Sequence, residues 1–307
     1  MSTRAVFVLA ILGCIWGASF LFIKIIVEET SPFTLVAGRV TLGALPMLFI
    51  VALRRPAIVA RRSIIPKTAV LAVFASALPF LMISWGEQHI DSGIAAVLNS
   101  TSPLWTALLG AVFLPHEPLG GRALVGIAIG FGGVLILTGP DITHIADSSM
   151  MGQLAVVGAA LCYAAALVFA RAKLAEEDPV VVTTLQLLIG MLIMWPIAFA
   201  AARGTPDIDV GVKAWLAWLT LGVLGTGLAS IGYYWLIANV GVLTSAVTYI
   251  PPIIGLALGA LVLQEPIGVN VIAGAAIIIL GVAVLTGRLE FVTRTMRGQQ
   301  RQRDDSG

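Results

Sequence analysis

The stretch Asn99-Ser100-Thr101-Ser102-Pro103 interrupts a run of apolar residues that extends from Ser92 to Leu114. Polar side chains and a proline are costly inside a lipid bilayer, because hydrocarbon offers no hydrogen-bond partners to freed backbone groups. Such residues persist at membrane depth where they face other protein segments or a water-filled cavity. The stretch therefore predicts a break in the middle of a membrane span, at a place of structural or functional importance.

The composition of the whole chain indicates a membrane protein. Hydrophobic residues make up 59% of the sequence and charged residues 11%, and the mean hydropathy is +1.00. An ordinary soluble domain contains about 25% charged residues. The first apolar run continues to about Ile26 without a small-residue cleavage site, so we interpret it as an uncleaved helix rather than a signal peptide. Cys14 and Cys162 lie in apolar runs and are typical of small buried side chains.

Ten segments have the length and polarity of membrane-spanning helices. A helix needs about 20 residues, at 1.5 Å each, to cross about 30 Å of hydrocarbon. The sequence therefore predicts an all-α integral membrane fold with ten transmembrane helices. The predicted spans are residues 5–26, 32–53, 66–85, 92–114, 119–139, 151–171, 179–201, 213–235, 242–263 and 268–287.

The distribution of cations predicts the orientation of the chain. With the N-terminus in the cytoplasm, 14 of the 18 Lys and Arg residues fall on or near the cytoplasmic side. This bias follows the positive-inside rule and places both termini in the cytoplasm. We expect the protein in the plasma membrane, which is the inner membrane of a cell with two membranes. The expected partners are the lipid bilayer and a small-molecule substrate, without nucleic acid, cofactor or metal. A monomer is expected, with a homodimer as the alternative.

Two halves of the chain share a pattern at a shift of 148 residues. Pro103 corresponds to Pro251, and the pair Glu117-Pro118 corresponds to Glu265-Pro266. Leu137-Thr138-Gly139 recurs unchanged as Leu285-Thr286-Gly287. Each half holds five spans, and an odd number makes the second half start on the opposite side of the membrane. The predicted domains are a first repeat at 1–140, an inverted second repeat at 141–290 and a disordered cytoplasmic tail at 291–307.

The order of several motifs resembles the EamA branch of the drug/metabolite transporter superfamily. These motifs are Ile15-Trp16-Gly17-Ala18-Ser19-Phe20 with Lys24, then Pro32, Arg39, the stretch from Asn99 to Trp105, and the two Glu-Pro pairs. The resemblance covers nearly the whole chain. It implies two inverted five-helix units around a central cavity, and export of amino acids or other small organic metabolites. One branch of the family exports aromatic amino acids, but the family shares no single substrate, so the resemblance leaves the cargo open.

Four aromatic residues are expected in the middle of spans, on helices 1, 4, 6 and 9. In one interpretation they are large apolar packing groups. In the other they line a cavity for an organic substrate, whose amino group is attracted to ring faces and whose apolar part is covered by ring bodies. The four residues are Trp16, Trp105, Tyr163 and Tyr249.

Polar residues on helices 4 and 9 are the second group of candidate substrate contacts. Asn99, Ser102 and Thr106 follow the spacing i, i+3, i+7 and share one helix face. They either form hydrogen bonds between helices or contact a zwitterionic ligand, and Asn99 is the strongest single candidate. With Ser19 from the first-helix motif, the predicted substrate-binding residues are Trp16, Ser19, Asn99, Ser102, Trp105, Tyr163, Thr248 and Tyr249.

Charged residues and prolines near span ends are candidates for gating or structure. Arg39 lies about seven residues into helix 2, or roughly 10 Å deep at 1.5 Å per residue. It is expected to bind a carboxylate or, preferably, to have a structural role or close an outer gate through Glu87 near the end of helix 3. Pro103 and Pro251 are expected to form static kinks in their helices, with bends that move during gating as the alternative. We expect Lys24 to extend to the membrane surface, and Glu117 and Glu265 to serve helix ends.

Three classes of function are possible for a membrane protein of this kind: an enzyme, a channel and a transporter. An intramembrane enzyme needs a nucleophile with a base, an aspartate pair or metal ligands at depth, and the sequence does not supply them. A channel favours polar stripes along several helices, whereas here polarity is concentrated near the membrane centre. A secondary transporter that works by alternating access is the prediction, with a multidrug or other metabolite exporter as the alternative. The sequence predicts no Asp or Glu in the middle of a span. This favours facilitated movement of the substrate down its gradient over obligate coupling to protons.

Overall fold

The computed structural model describes residues 2–54, 63–114, 119–139 and 147–287. All regular secondary structure within these ranges is helical, so the predicted all-α fold is confirmed. The predictions for Glu117, for its neighbour Pro118 and for the tail at 291–307 lie outside the described residues.

Ten helical spans follow one another along the described ranges. Eight are long and apolar enough to cross a membrane, and the last two are shorter apolar helices. The predicted ends differ from the observed ends by no more than five residues. The spans are α1 Thr3–Val27, α2 Pro32–Arg54, α3 Ile64–Gly86, α4 Ser92–Phe113, α5 Gly121–Thr138, α6 Ser148–Lys173, α7 Pro179–Ala202, α8 Val212–Val240, α9 Ala246–Val262 and α10 Val269–Leu285.

Helix α4 is broken in its middle, between Ser92–Asn99 and Ser102–Phe113. Pro103 stands in the first turn of the second half and has no N–H to donate to a carbonyl one turn earlier. Each hydroxyl at the break donates to the carbonyl oxygen three residues before it, and the Ser102 hydroxyl thereby replaces the bond to Asn99 that Pro103 cannot make. Ser100 bonds Val97 at 2.6 Å, Thr101 bonds Leu98 at 2.7 Å, and Ser102 bonds Asn99 at 2.7 Å.

The irregular segments recur in the two halves of the chain. The second half of α4 begins at Ser102, and the α-helical part of α9 begins 148 residues later at Ile250, after a 3₁₀ segment at Gly241–Tyr249. Wide π-helical segments interrupt α3 at Ala72–Ala77 and α8 at Thr220–Leu228, and their first residues are also 148 apart. Such π-helical turns are rare and are often found at functional sites.

Helices α5 and α10 pack through glycines that allow their backbones to touch. A Cβ atom added to Gly126 would lie 2.7 Å from the carbonyl oxygen of Gly281, and one added to Gly133 would lie 2.9 Å from that of Gly274. At the shift of 148 residues, Gly126 corresponds to Gly274 and Gly133 to Gly281, so each contact maps onto the other. Close approach of this kind is the usual role of small residues spaced along membrane helices.

These contacts also show that α5 and α10 run antiparallel, because the start of one helix meets the end of the other. Corresponding helices of two inverted units must point in opposite directions across the membrane. Helix α2 likewise packs on its counterpart α7, while α1 packs on α9 and the counterpart α6 packs on α4. These relations support our proposal that residues 1–140 and 141–290 form two inverted units.

The α5–α10 interface gives a test with an adjacent control. We expect Gly133→Ala to destabilise the protein by about 1–3 kcal/mol, because the added methyl group would lie 2.7 Å from the backbone nitrogen of Ile278. Gly132→Ala adds the same group to the next residue, where nothing lies within 4 Å. Thermal unfolding of the purified protein in detergent, followed by intrinsic fluorescence, compares the two. Equal melting temperatures would contradict the interface.

Candidate functional site

One end of the bundle contains the turn at residues 87–91 that joins α3 to α4, and we call it the Glu87 end. The Lys24 ammonium, from the last turn of α1, donates hydrogen bonds to the carbonyl oxygens of Glu87 at 2.6 Å and Ile90 at 3.0 Å. The expectation that Lys24 extends to the membrane surface is therefore wrong. The carbonyls at the end of α3 carry partial negative charge and attract the cation inward.

The carboxylate of Glu265 covers the N-terminus of α4 at the same end. It accepts hydrogen bonds from the backbone N–H of Ser92 at 2.9 Å, from the Ser92 hydroxyl at 2.9 Å and from the N–H of Gly93 at 3.2 Å. A negative charge is favourable at this position because the first N–H groups of a helix lack intrahelical partners. The predicted helix-end role of Glu265 is confirmed, and it ties the connection between α9 and α10 to α4.

Arg39 is buried inside the bundle, with 6% of its surface exposed. Its Nε donates to the hydroxyl of Thr226 at 3.0 Å, in the π-helical segment of α8. Its guanidinium carbon lies 3.6 Å from the centre of the Phe80 ring of α3, which is a cation–π contact. Arg39 therefore joins α2 to α8 and α3, at the depth where the sequence predicts a functional cation.

The predicted gate bond between Arg39 and Glu87 is not formed in this structure. Glu87 is fully buried, and neither of its carboxyl oxygens has a hydrogen-bond partner among the described residues. The physical reason is that Arg39 is directed toward Thr226 and Phe80, while Lys24 bonds the backbone of Glu87 rather than its side chain. The two cations affect the Glu87 carboxyl only through space.

Burial dominates the protonation equilibria of the acids in the turn. It raises the pKa of the Glu87 carboxyl well above its ordinary value, against the opposing effect of Lys24 and, more weakly, Arg39. The charge of Glu265 adds to the increase. Burial and Glu265 also raise the pKa of Asp91, which Lys24 opposes. The sequence places Glu87 near a span end, and its complete burial was not predicted.

The break in α4 holds two unpartnered polar atoms. The amide oxygen Oδ1 of Asn99 and the indole Nε1 of Trp105 are buried and have no hydrogen-bond partner among the described residues. The Trp105 ring packs edge-on against Phe131 of α5, with centroids 4.7 Å apart. Most buried polar atoms in proteins are hydrogen-bonded, so an acceptor and a donor left without partners near one helix break indicate a place for a ligand.

The other predicted aromatic residues contact different neighbours. Trp16 packs on Tyr233 of α8 with centroids 5.4 Å apart, and Tyr163 lies edge-on to Phe80 at 6.4 Å. The Tyr249 hydroxyl shares a hydrogen bond of 2.7 Å with the Thr286 hydroxyl. These four rings are thus distributed over several interfaces, and a cavity lined by all of them stays a prediction.

The predicted hydroxyl contacts bond first within their own helices. Ser19 is buried and donates to the carbonyl of Ile15 at 3.0 Å, and Ser102 donates to that of Asn99. Both oxygens keep lone pairs and can still accept a hydrogen bond from a ligand. Thr248 is half-buried on the 3₁₀ segment that precedes the α-helical part of α9.

Sequence reasoning missed a polar pair that is related to Arg39 by the repeat. At the shift of 147 residues that aligns the first two helices of each half, Arg39 corresponds to Gln186 on α7. The Gln186 amide donates to the Ser76 hydroxyl, in the π-helical segment of α3, at 2.7 Å. The second helix of each half therefore bonds the π-helical segment of the other half. The repeat shift could have identified Gln186.

The sequence matches a family described as "EamA: EamA-like transporter family" twice, over residues 3–139 and 150–287. The uncharacterized transporter YoaV of Bacillus subtilis (strain 168) is 24% identical over 89% of this chain and 93% of its own length. A protein of Salmonella typhimurium (strain LT2), described as "Probable amino-acid metabolite efflux pump", is 28% identical over 92% of this chain and 95% of its own length.

A solved crystal structure supports the fold. It superposes with a TM-score of 0.67 at 19% identity and covers 94% of this chain and 100% of the other chain. This likeness bears on the arrangement of helices alone.

The contacts of Glu265 give a second test. We expect Glu265→Gln to lower the free energy of unfolding by about 1–2 kcal/mol, because a neutral amide is a weaker partner for the N–H groups at the start of α4. Glu28→Gln is the matched control, since Glu28 is exposed just after α1. Thermal unfolding in detergent measures both variants. A loss of stability in Glu28→Gln as large as in Glu265→Gln would mean that overall charge, not the contact, is responsible.

Proposed function

Because the chain belongs to the EamA-like transporter family, we propose that it exports amino acids or similar small organic metabolites across the plasma membrane. It is a multi-pass membrane transporter and not an enzyme. The observation that carries the proposed substrate class is the pair of unpartnered polar atoms at the α4 break, Asn99 Oδ1 and Trp105 Nε1. In the proposed mechanism, one central site is exposed to each side of the membrane in turn.

The two atoms fit the two ends of a zwitterion. An amide oxygen accepts a hydrogen bond from an ammonium group, and an indole N–H donates one to a carboxylate. A buried polar group without a partner costs about 1–3 kcal/mol, so a ligand that satisfies both groups recovers this free energy on binding. Trp105 and Phe131 also offer ring surface for the apolar part of the ligand. The description of the Salmonella relative as an amino-acid metabolite efflux pump agrees with this substrate class.

Alternating access requires that the two units move relative to each other around the site. At the breaks in α4 and α9 the regular α-helical hydrogen-bond pattern is already interrupted, so these are the places where we propose that the two helices bend. At the Glu87 end, the units are in contact where Gly86 of α3 meets Gly152 and Val156 of α6, and where Gly93 of α4 meets Leu256 of α9. This end is therefore closed in the structure, and we propose that it opens outward when substrate leaves.

The proposed site predicts the effect of two substitutions on transport. We expect Asn99→Ala and Trp105→Ala to reduce efflux of labelled amino acids from proteoliposomes by about tenfold or more, since a hydrogen bond to a charged group contributes about 1.5–3 kcal/mol. Trp105→Phe keeps the ring and removes only the N–H, so it separates the hydrogen bond from the packing. Loading aromatic and aliphatic amino acids in parallel tests the contribution of ring surface.

Trp215→Phe is the matched control, because Trp215 is exposed near the start of α8. Expression and elution from a sizing column should be unchanged in every variant. Normal efflux in both alanine variants would remove α4 from the substrate site. No amino-acid flux from well-folded parent protein would contradict the proposed cargo, and efflux that does not saturate would favour a channel.

A further inference from the structure

Outside the proposed substrate site, the structure contains another buried polar group without a hydrogen-bond partner among the described residues, the side chain of Glu87. It is 0% exposed, and among the described residues neither carboxyl oxygen has a hydrogen-bond partner. An ionised carboxylate in such a place is costly, because it has lost its hydration and gained no donor in exchange. A neutral carboxylic acid is much less costly there. The geometry by itself therefore favours the protonated form of Glu87 when this end is closed.

Charged groups face Glu87 from several elements. Both cations already have other contacts: Lys24 donates to two backbone carbonyls, and Arg39 donates to Thr226 and lies over Phe80. Glu265, whose oxygens accept from Ser92 and Gly93, adds a repelling negative charge. The neighbouring titratable and charged groups are Lys24 of α1, Arg39 of α2, His89 and Asp91 of the turn, Glu265 between α9 and α10, and Tyr163 of α6, which acts on Arg39. The Cβ atom of His89 lies beside Gly152 of α6.

The position of Glu87 connects this equilibrium to the contact between the units. Glu87 directly follows Gly86, and a Cβ atom on Gly86 would lie 2.9 Å from both the Gly152 carbonyl oxygen and a methyl group of Val156. Separation of α3 from α6 would loosen the packing next to Glu87 and would expose the carboxyl group to water. A hydrated glutamate has an ordinary pKa near 4.3 and is ionised at neutral pH.

We propose that Glu87 is a proton-binding site that controls opening of the Glu87 end. The carboxyl group takes up one proton when α3 and α6 come together, and it releases that proton to water when they separate. In the open state, after the proton has left, the Glu87 carboxylate is attracted to the nearby Lys24 and Arg39. This inference concerns the movement of the protein itself and does not depend on which substrate is transported.

The sign of the pH dependence follows from proton linkage. The closed state binds one more proton than the open state, so a higher pH favours opening and a lower pH favours closure. The ratio of open to closed protein rises up to about tenfold per pH unit, over the range between the ordinary pKa of glutamate and the raised pKa of the closed state. If the Glu87 end faces outward as predicted, acid outside the cell keeps the exit closed.

A single reporter cysteine tests the proposal without any substrate. In a background of Cys14→Ser and Cys162→Ala, Val156→Cys places a thiol at a position of similar volume that is 0% exposed between α6 and α3. A membrane-impermeant maleimide reacts with it only when the Glu87 end opens. Gly204→Cys, in the exposed connection after α7, is the reference, because the reactivity of every thiol increases with pH. The labelling rate of the reporter is divided by that of the reference between pH 5.5 and 8.5.

We expect this ratio to rise with pH in the parent and in Glu87→Asp, and to be low and constant in Glu87→Gln, which stays neutral. A constant ratio in the parent, or an unchanged slope in Glu87→Gln, would overturn the proposal. The slope in the parent protein remains a test if Glu87→Gln fails to fold, which labelling at residue 204 and elution profiles would show. Infrared spectra add an independent readout: the C=O stretch of a protonated carboxyl group should persist at neutral pH and shift in Glu87→Asp. A failure of amino-acid efflux leaves these measurements unaffected.

Discussion

The structure depends on the requirement that every backbone polar group in a membrane span finds a partner within the protein. At the centre of α4 this requirement is met by an unusual local solution. The Ser102 hydroxyl bonds the Asn99 carbonyl, which an N–H at residue 103 would bond in a regular helix. The hydroxyls of Ser100 and Thr101 add a second bond to the Val97 and Leu98 carbonyls, which also accept the backbone N–H groups of residues 100 and 101. Because the hydroxyls serve the backbone, the side chains of Asn99 and Trp105 remain available beside the break. The polar stretch thus combines a structural function with a candidate binding function in the same few residues.

The two halves of the protein share their helix geometry but differ in the charges that they carry. Arg39 and Gln186 occupy corresponding positions on α2 and α7, and each donates to a hydroxyl in the π-helical segment of the opposite half. One of these bonds is charged and the other is neutral. Counterparts of Glu87 and Asp91 at the repeat shift are Trp235 and Asn239, so the acids are confined to one end. A transporter whose helices are approximately symmetric can therefore carry the proposed pH response at one end only.

Much of this architecture was predictable from the sequence, because its causes are local. Span ends follow from hydropathy and from breakers such as Pro32, Pro179 and Gly139, and the proline at residue 103 predicts the bend in α4. The burial of Glu87 was not predictable in this way. It lies one residue beyond α3, where a charged side chain is ordinarily hydrated, and the packing of several distant segments at this end buries it. The direction of Lys24 was missed for the same reason, since its carbonyl partners come from a different part of the chain.

The absence of a direct bond between Arg39 and Glu87 in the described structure is informative about gating. Separating the partners of a buried, hydrogen-bonded ion pair costs about 3–5 kcal/mol when one charge is left unpaired. A gate built on such a pair would resist opening in every cycle. Here Arg39 can keep its contacts with Thr226 and Phe80, and a neutral Glu87 gives up no ionic bond when α3 separates from α6. Closure then rests on apolar and glycine contacts together with the hydrogen bonds of Glu265 to Ser92 and Gly93. The Glu87 carboxyl group contributes a pH-dependent bias rather than a fixed bond.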